Sequence, residues 1–184
     1  FDTFREEVFS PEELEGGGMS QRGYMRRVRD KCQKYAESFP RTAVPDMLFM
    51  GASGLGKTFL MQAIARRVVE RGFSALCLSA YKVVEITRQA YFSNNPDTSA
   101  PLLQADLLLI DDLGVEPLME NITIVQLYHV LNERQNAGKH TILSTNLTSV
   151  ELQARYTERI TSRLFHTGQC ELVPFIGGDI RRQA

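Results

Sequence analysis

Short apolar runs alternate along the chain with stretches whose apolar residues recur every three or four positions. The runs stand at 47–50, 74–79, 106–111, 141–144 and 171–174, and each has the length of a strand. The third, Asp106-Leu107-Leu108-Leu109-Ile110-Asp111, is apolar throughout its middle, as a parallel strand buried on both faces is. The first helical stretch is predicted from Ser20, a possible cap, to about Phe39, with Tyr24, Val28, Cys32 and Tyr35 on one face and Pro40 as its stop. After the first run, Phe59, Leu60, Ile64, Ala65, Val68 and Val69 predict a helix ending near Arg71, with Gly72 beyond it. Further helices are predicted at 81–92, at about 122–137 before Gly138, and at 149–156 and 158–165. Loop residues fall between them at Asn94, Asn95 and Pro96, and the first eighteen residues close on a flexible break, Gly16-Gly17-Gly18. Strands alternating with helices imply a parallel sheet between two helix layers, joined by right-handed crossovers.

The chain's 184 residues suit one domain with a sizeable core, and no apolar run is long enough to span a bilayer. Hydrophobic residues at 43% and charged residues at 23% set it apart from neither ordinary globular proteins nor their usual surfaces. Cys32, Cys77 and Cys170 are odd in number, scattered and without a C-x-x-C pair, which argues for reduced thiols in a cytoplasm and against a zinc site. The opening residues do not read as a signal peptide, and a start on Phe1 in place of Met leads us to expect a fragment of a longer protein.

The net charge of -1 makes no overall case for nucleic acid, but its distribution is uneven. Residues 1–15 carry six acids against Arg5, a balance of -5, whereas 21–35 carry six bases against Asp30, a balance of +5. The two segments are expected to attract each other. The basic stretch fits a solvated face as well as a nucleic-acid contact.

Between the first run and the second helix lies Gly51-Ala52-Ser53-Gly54-Leu55-Gly56-Lys57-Thr58, which meets G-x-x-x-x-G-K-[ST] at every fixed position. The strand-loop-helix setting is the one this phosphate-binding loop requires. Its glycines let the backbone wrap a phosphate chain, and its N–H groups with the following helix dipole make an anion site. Lys57 would reach the terminal phosphates and the Thr58 hydroxyl would hold magnesium.

Two further strand ends carry matching chemistry. Leu107–Gly114 delivers Asp111 and Asp112 where open α/β sheets place their ligands. Asp111 would complete a magnesium shell beside Thr58, and Asp112 would orient or deprotonate an attacking water. An Asp-Asp pair also fits a solvated strand end or a helix cap. Asn146, just past the fourth run, is suited to hold that water or touch the terminal phosphate, although Asn is common in turns. Arg159 and Arg163 stand four apart on one helical face, where one could project from the subunit as an arginine finger or remain a surface side chain.

Taken in order, the opening Phe1-Asp2-Thr3-Phe4, the GASGLGKT loop, LLLIDDLG, Ser144-Thr145-Asn146-Leu147 and ERITSRL at 158–164 resemble the AAA+ ATPases of the DnaC and DnaI helicase-loader group, close to the IstB transposition helpers. The resemblance implies a P-loop, three-layer α/β/α sandwich of AAA+ (ASCE) type, with a five-stranded parallel sheet whose phosphate-loop strand lies between the fourth and fifth strands. It divides the chain into a lead-in and basic helix at 1–40 and an ATPase core at 41–184 with little or no C-terminal lid. It also implies that ATP or ADP binds at Gly51, Ala52, Ser53, Gly54, Leu55, Gly56, Lys57 and Thr58 with Mg2+ at Thr58 and Asp111. By the same resemblance Lys57, Asp112 and Asn146 serve catalysis, Arg163 looks like a finger acting in trans, and Arg181 or Arg182 looks like a second sensor. Residues 79–92 look like a helical insertion directed at single-stranded DNA, with Tyr81, Lys82 and Arg88 of suitable chemistry, and core packing as the other reading of Tyr81. The implied partners are a replicative hexameric helicase, single-stranded DNA and further copies of the chain joined through the ATP site. Loaders of the group grip the helicase with an additional N-terminal region that nothing before Phe1 represents.

Helicase loading in DNA replication is therefore the expected function, by a slow ATPase that speeds up on assembly. A transposition helper shares the same ATP site. A small P-loop kinase would need an acceptor site and a mobile lid with arginines, whereas Asp112 with Asn146 favours water as acceptor. A module that binds nucleotide without hydrolysing it is the remaining alternative.

Overall fold

Asp46–Met50 (β1) lies between two neighbours in the sheet, His140–Thr145 (β4) and Cys170–Pro174 (β5), and is parallel to both. In this computed structural model, which describes residues 1–14, 18–118 and 122–182, Ala75–Ser79 (β2) and Leu107–Leu113 (β3) complete a five-stranded parallel sheet in the order β2-β3-β4-β1-β5. The phosphate-loop strand thus sits between the fourth and fifth strands, as expected.

Successive strand residues face opposite sides of the sheet, so each buried strand feeds two cores. Met47 and Phe49 join Leu107, Leu109 and Ile142 on one face, against Gln21–Ser38 (α1) and Lys57–Glu70 (α2). Leu48 joins Leu108, Ile110 and Leu143 on the other, against Ala80–Ser93 (α3), Thr123–Asn136 (α5), Ser149–Arg155 (α6) and Glu158–Leu164 (α7). The result is the three-layer sandwich that the alternation of runs predicts.

Helix ends follow local chemistry. Ser20 caps α1 by accepting the Gly23 N–H at 3.1 Å, and Thr148 with Glu151 forms a capping box on α6. Two details depart from the periodicity. The buried stripe of α2 is Leu60, Met61, Ile64 and Val68, while Phe59 and Val69 are 37% and 53% exposed. Each lies one residue, about 100° of rotation, outside a member of the stripe, Leu60 and Val68 respectively. A short helix at Ala100–Gln104 (α4), with Pro101 in its first turn and Leu102 fully buried, falls where loop was expected. Three apolar residues and a glutamine around a proline are too few for a period to register.

Gly16 and Gly17 of the expected break lie outside the described residues, and Gly18 has φ +92°. The expected attraction between the acidic and basic segments is present: Glu6 pairs with Arg26 and lies 3.6 Å from Arg29. The Arg26 hydrogen bond holds the Glu6 carboxyl below the usual carboxylate range. Arg22 donates to the carbonyls of Phe9 at 3.2 Å and Glu7 at 3.5 Å, and Lys31 pairs with Glu171 at 2.6 Å. Much of the positive face of α1 is therefore tied to the chain's own acids and carbonyls. No helix among the described residues is long and apolar enough to cross a membrane.

Truncating Ile64 to Ala should destabilise the fold by about 2–5 kcal/mol, because its site in the core is closed on every side. Val69→Ala, further along α2 at its exposed edge, should change stability by no more than about 0.5 kcal/mol. Urea unfolding of the two variants checks the expected contrast.

Candidate nucleotide site

The phosphate loop leaves the C-terminal end of β1 and enters α2 at Lys57. Two of its glycines, the fixed Gly51 and the free-position Gly54, answer to close approach as well as to backbone angle. Gly51 has φ +152°, and a Cβ there would stand 2.2 Å from the Phe175 carbonyl oxygen. Gly54 has φ +79°, and a Cβ there would stand 1.9 Å from an Asp179 carboxylate oxygen. The segment after β5 is thus laid across the loop, held by Phe175 N–H to the Met50 carbonyl at 2.6 Å and Ile180 N–H to the Gly54 carbonyl at 3.0 Å. Leu55, a free position of the motif, is 2% exposed and anchors the loop in the core, whereas Ala52, Ser53 and Thr58 face solvent.

Lys57 is 5% exposed, and its ammonium donates to the carbonyls of Gly51 at 2.6 Å and Ala52 at 2.7 Å and to Asn146 Oδ1 at 2.7 Å. Burial lowers its pKa, opposed by the charges of Asp112 and Asp111. All three donors are engaged, so an incoming phosphate would exchange for these oxygens one by one. Asn146 reaches Lys57 because β4 runs beside β1, which brings together side chains 89 positions apart.

Thr58 Oγ1 donates to Asp111 Oδ2 at 2.7 Å. The hydroxyl and the carboxylate are hard oxygen donors at the mouth of the phosphate cavity, a donor set that fits Mg2+. Asp112 lines that cavity of about 290 Å³ together with residues 53–58, Asn146, Ile180 and Arg181. Arg181 donates to Ser53 Oγ at 3.1 Å and pairs with Asp179 at 3.0 Å, and that carboxylate raises its pKa. The side chain of Arg182, the other second-sensor candidate, lies outside what the structure describes.

Arg163 is not brought to this cavity in its own chain. Its guanidinium lies 4.4 Å from the centre of the Tyr128 ring and donates to the Tyr128 hydroxyl at 3.0 Å, to Asn132 Oδ1 and to the Arg159 carbonyl at 2.9 Å. Arg159 itself is exposed. Of the α3 residues, Tyr81 is 56% exposed, which removes the core-packing reading, and Lys82 pairs with Glu85 at 2.7 Å.

Two features of the site escape a reading of motifs. An apolar cavity of about 250 Å³ adjoins the loop at Gly56, walled by Phe4, Val8, Phe9, Met25, Phe59 and Ile180. The phenylalanines of the opening segment are its signal in the sequence, visible only once that segment is folded against α2. Glu116, just beyond the acid pair, is 1% exposed, accepts the Gly114 N–H at 2.8 Å and bonds the Tyr156 hydroxyl. With Arg155, which donates to the Glu116 carbonyl, it ties the loop after β3 to the C-terminal end of α6, the helix that precedes α7 with its Arg159 and Arg163.

The family described as IstB-like ATP binding protein matches residues 35–184, which takes in the loop, both acids, Asn146 and α7. The chain belongs to that family. Within this ATP-binding family it is 28% identical over 140 residues to the replicative helicase loader DnaC of Escherichia coli K12, covering 73% of this chain and 55% of the relative. The chain therefore spans about half the length of the curated relatives it matches. Its fold is that of AAA+ domains: a crystal structure of the DnaC helicase loader superposes with a TM-score of 0.73 at 18% identity, covering 91% of this chain and 95% of that one. The replication initiator DnaA bound to AMPPCP and single-stranded DNA superposes with a TM-score of 0.70 at 21% identity, covering 85% and 48%.

Gly54→Ala should lose stability through both the positive φ, about 1–2 kcal/mol, and the collision with Asp179. Adding Asp179→Ala should recover the collision part and leave the backbone part, so thermal unfolding of the single and double variants should show non-additivity.

Proposed function

We propose that this chain is an ATP-hydrolysing AAA+ switch that helps to load a replicative helicase onto single-stranded DNA. The observation that carries the ATPase reading is the meeting of Lys57, Asn146, Asp112 and the Thr58–Asp111 pair at one cavity. ATP would lie with its phosphates under the loop and its base in the apolar cavity beyond Gly56. Mg2+ held by Thr58 and Asp111 would supply charge neutralisation across the terminal phosphates. Lys57 would pass its hydrogen bonds from the Gly51 and Ala52 carbonyls and Asn146 to phosphate oxygens. Asn146, so released, would orient a water, and Asp112 would accept its proton as the water oxygen bonds to the γ-phosphorus and the bond to ADP breaks. Arg181, already at Ser53, is the second-sensor residue of this proposal.

Arg163 is the proposed finger for a neighbouring copy. Its own-chain partners, the Tyr128 ring and hydroxyl and Asn132, would be exchanged on assembly, so an isolated chain should turn over slowly. Tyr81 and Arg88 on α3 are proposed to meet single-stranded DNA, a reading supported by the exposure of Tyr81 and by the likeness to a DNA-bound initiator fold. Contact with a hexameric helicase belongs to the proposal without assignment to particular residues. The proposed setting is the cytoplasm, which free thiols at Cys32, Cys77 and Cys170 suit. The family's description favours a second reading, a transposition helper with the same ATP site, and co-precipitation with a replicative helicase separates the two.

Phosphate release should rise per chain with protein concentration, single-stranded DNA or helicase. Asp112→Asn should lower the stimulated rate by about 10²–10⁴ while ATP still binds. Lys57→Ala and Arg163→Ala chains, each inactive alone, should regain activity when mixed, because a shared site can then draw Lys57 from one chain and Arg163 from the other. No regain on mixing, with both variants folded, would remove the finger from the proposal.

A further inference from the structure

Two consecutive carboxylates on an extended strand should point to opposite sides of the sheet, yet Asp111 meets Thr58 and Asp112 lines the phosphate cavity. The pairing of β3 with β4 accounts for this. Ile110 is level with Leu143 and Leu113 with Thr145, so Asp111 and Asp112 together oppose the single residue Ser144. That is a β-bulge, and it turns Asp112 to φ +56°, a left-handed backbone on a residue that has a Cβ.

Ser144 is fully buried, and its hydroxyl is bound on both sides. It donates to Asp111 Oδ1 and accepts the Asp112 N–H at 2.9 Å, the shorter branch of a shared bond whose other acceptor is Asp111 Oδ1 at 3.2 Å. Thr58 takes the remaining oxygen of Asp111, so each carboxylate oxygen has its own hydroxyl. Next to it, Thr145 Oγ1 donates to the Leu113 carbonyl at 2.6 Å and closes the far side of the bulge.

We infer that Ser144 is a positioning residue that divides the labour of the acid pair. By fixing one oxygen of Asp111 it leaves the other for the cation shared with Thr58. By holding the Asp112 amide it keeps that residue turned into the cavity. The inference rests on the reading of this cavity as an ATP and Mg2+ site. Ser144→Ala removes one oxygen from a buried position, and Ser144→Thr restores the hydroxyl.

A fluorescent ATP analogue titrated with and without Mg2+, together with deuterium exchange at the Asp112 amide in nucleotide-free protein, tests it. In Ser144→Ala the Mg2+ concentration that half-saturates the Mg2+-dependent gain in affinity should rise about 10–100-fold. Affinity without Mg2+ should stay as in the parent chain, and the Asp112 amide should exchange about fivefold faster or more. Ser144→Thr should fall much closer to the parent on both measures. An unchanged Mg2+ requirement in the alanine variant, an unchanged exchange rate, or an equal loss of affinity with and without Mg2+ would overturn the role. If the parent chain bound no nucleotide, the ATP-site reading would fail, and the exchange comparison, which needs no nucleotide, would still decide whether Ser144 holds Asp112.

Discussion

A lysine ammonium that is 5% exposed must find oxygen for every proton it carries, and Lys57 finds it on two loop carbonyls and one side-chain amide. Those partners fix more than a side chain. The carbonyls of Gly51 and Ala52 can turn toward Lys57 only when the loop curls back on itself. Asn146 can reach only when β4 is the direct neighbour of β1. The same contact that satisfies the ammonium therefore stores the hydrogen-bonding capacity that a phosphate would claim, and joins the loop to the strand end that would sense it.

The acid pair poses a different problem, since strand geometry alone would separate two adjacent carboxylates. One extra residue in β3 and one hydroxyl in β4 resolve it together. The bulge supplies the turn, and Ser144 supplies the partner that a positive-φ Asp112 needs to stay there. Beyond the bulge, Gly114 lies against Leu147, and Glu116 holds the C-terminal end of α6. The loop that follows the acid pair is thus fixed to the C-terminal end of α6 through the buried Glu116.

Cations in this chain are mostly occupied by their own fold. Arg22, Arg26, Arg29 and Lys31 of α1 bond acids or carbonyls, Arg134 is fully buried against the carbonyls of Leu102, Ala105 and His140, and Arg163 lies on Tyr128. Exposed pairs of this kind contribute little to stability, about 0–1 kcal/mol each, but they lower the charge available to an anionic partner. Arg134 is the opposite case: burial lowers its pKa to about 10, and five hydrogen bonds keep it in place at the sheet end away from the phosphate loop.

Local pattern decided a good deal by itself. The five runs became strands within a residue or two of where periodicity puts them, because the inner parallel strands are buried on both faces and the edge strands β2 and β5 still turn apolar residues to the core. The loop motif, the acid pair and Asn146 were legible because their chemistry needs particular residue types at strand ends. What neighbours what was decided only by the fold: that Asn146 meets Lys57, that the free loop position Leu55 is a core residue, and that Phe4 and Phe9 wall a cavity beside Gly56. Ser144 stood in plain view within Ser144-Thr145-Asn146, yet its partners are 32 and 33 positions away and meet it only across the bulge. Periodicity reports which way a residue faces along its own element, and hydrogen bonds between elements depend on register and strand order, which no local pattern encodes.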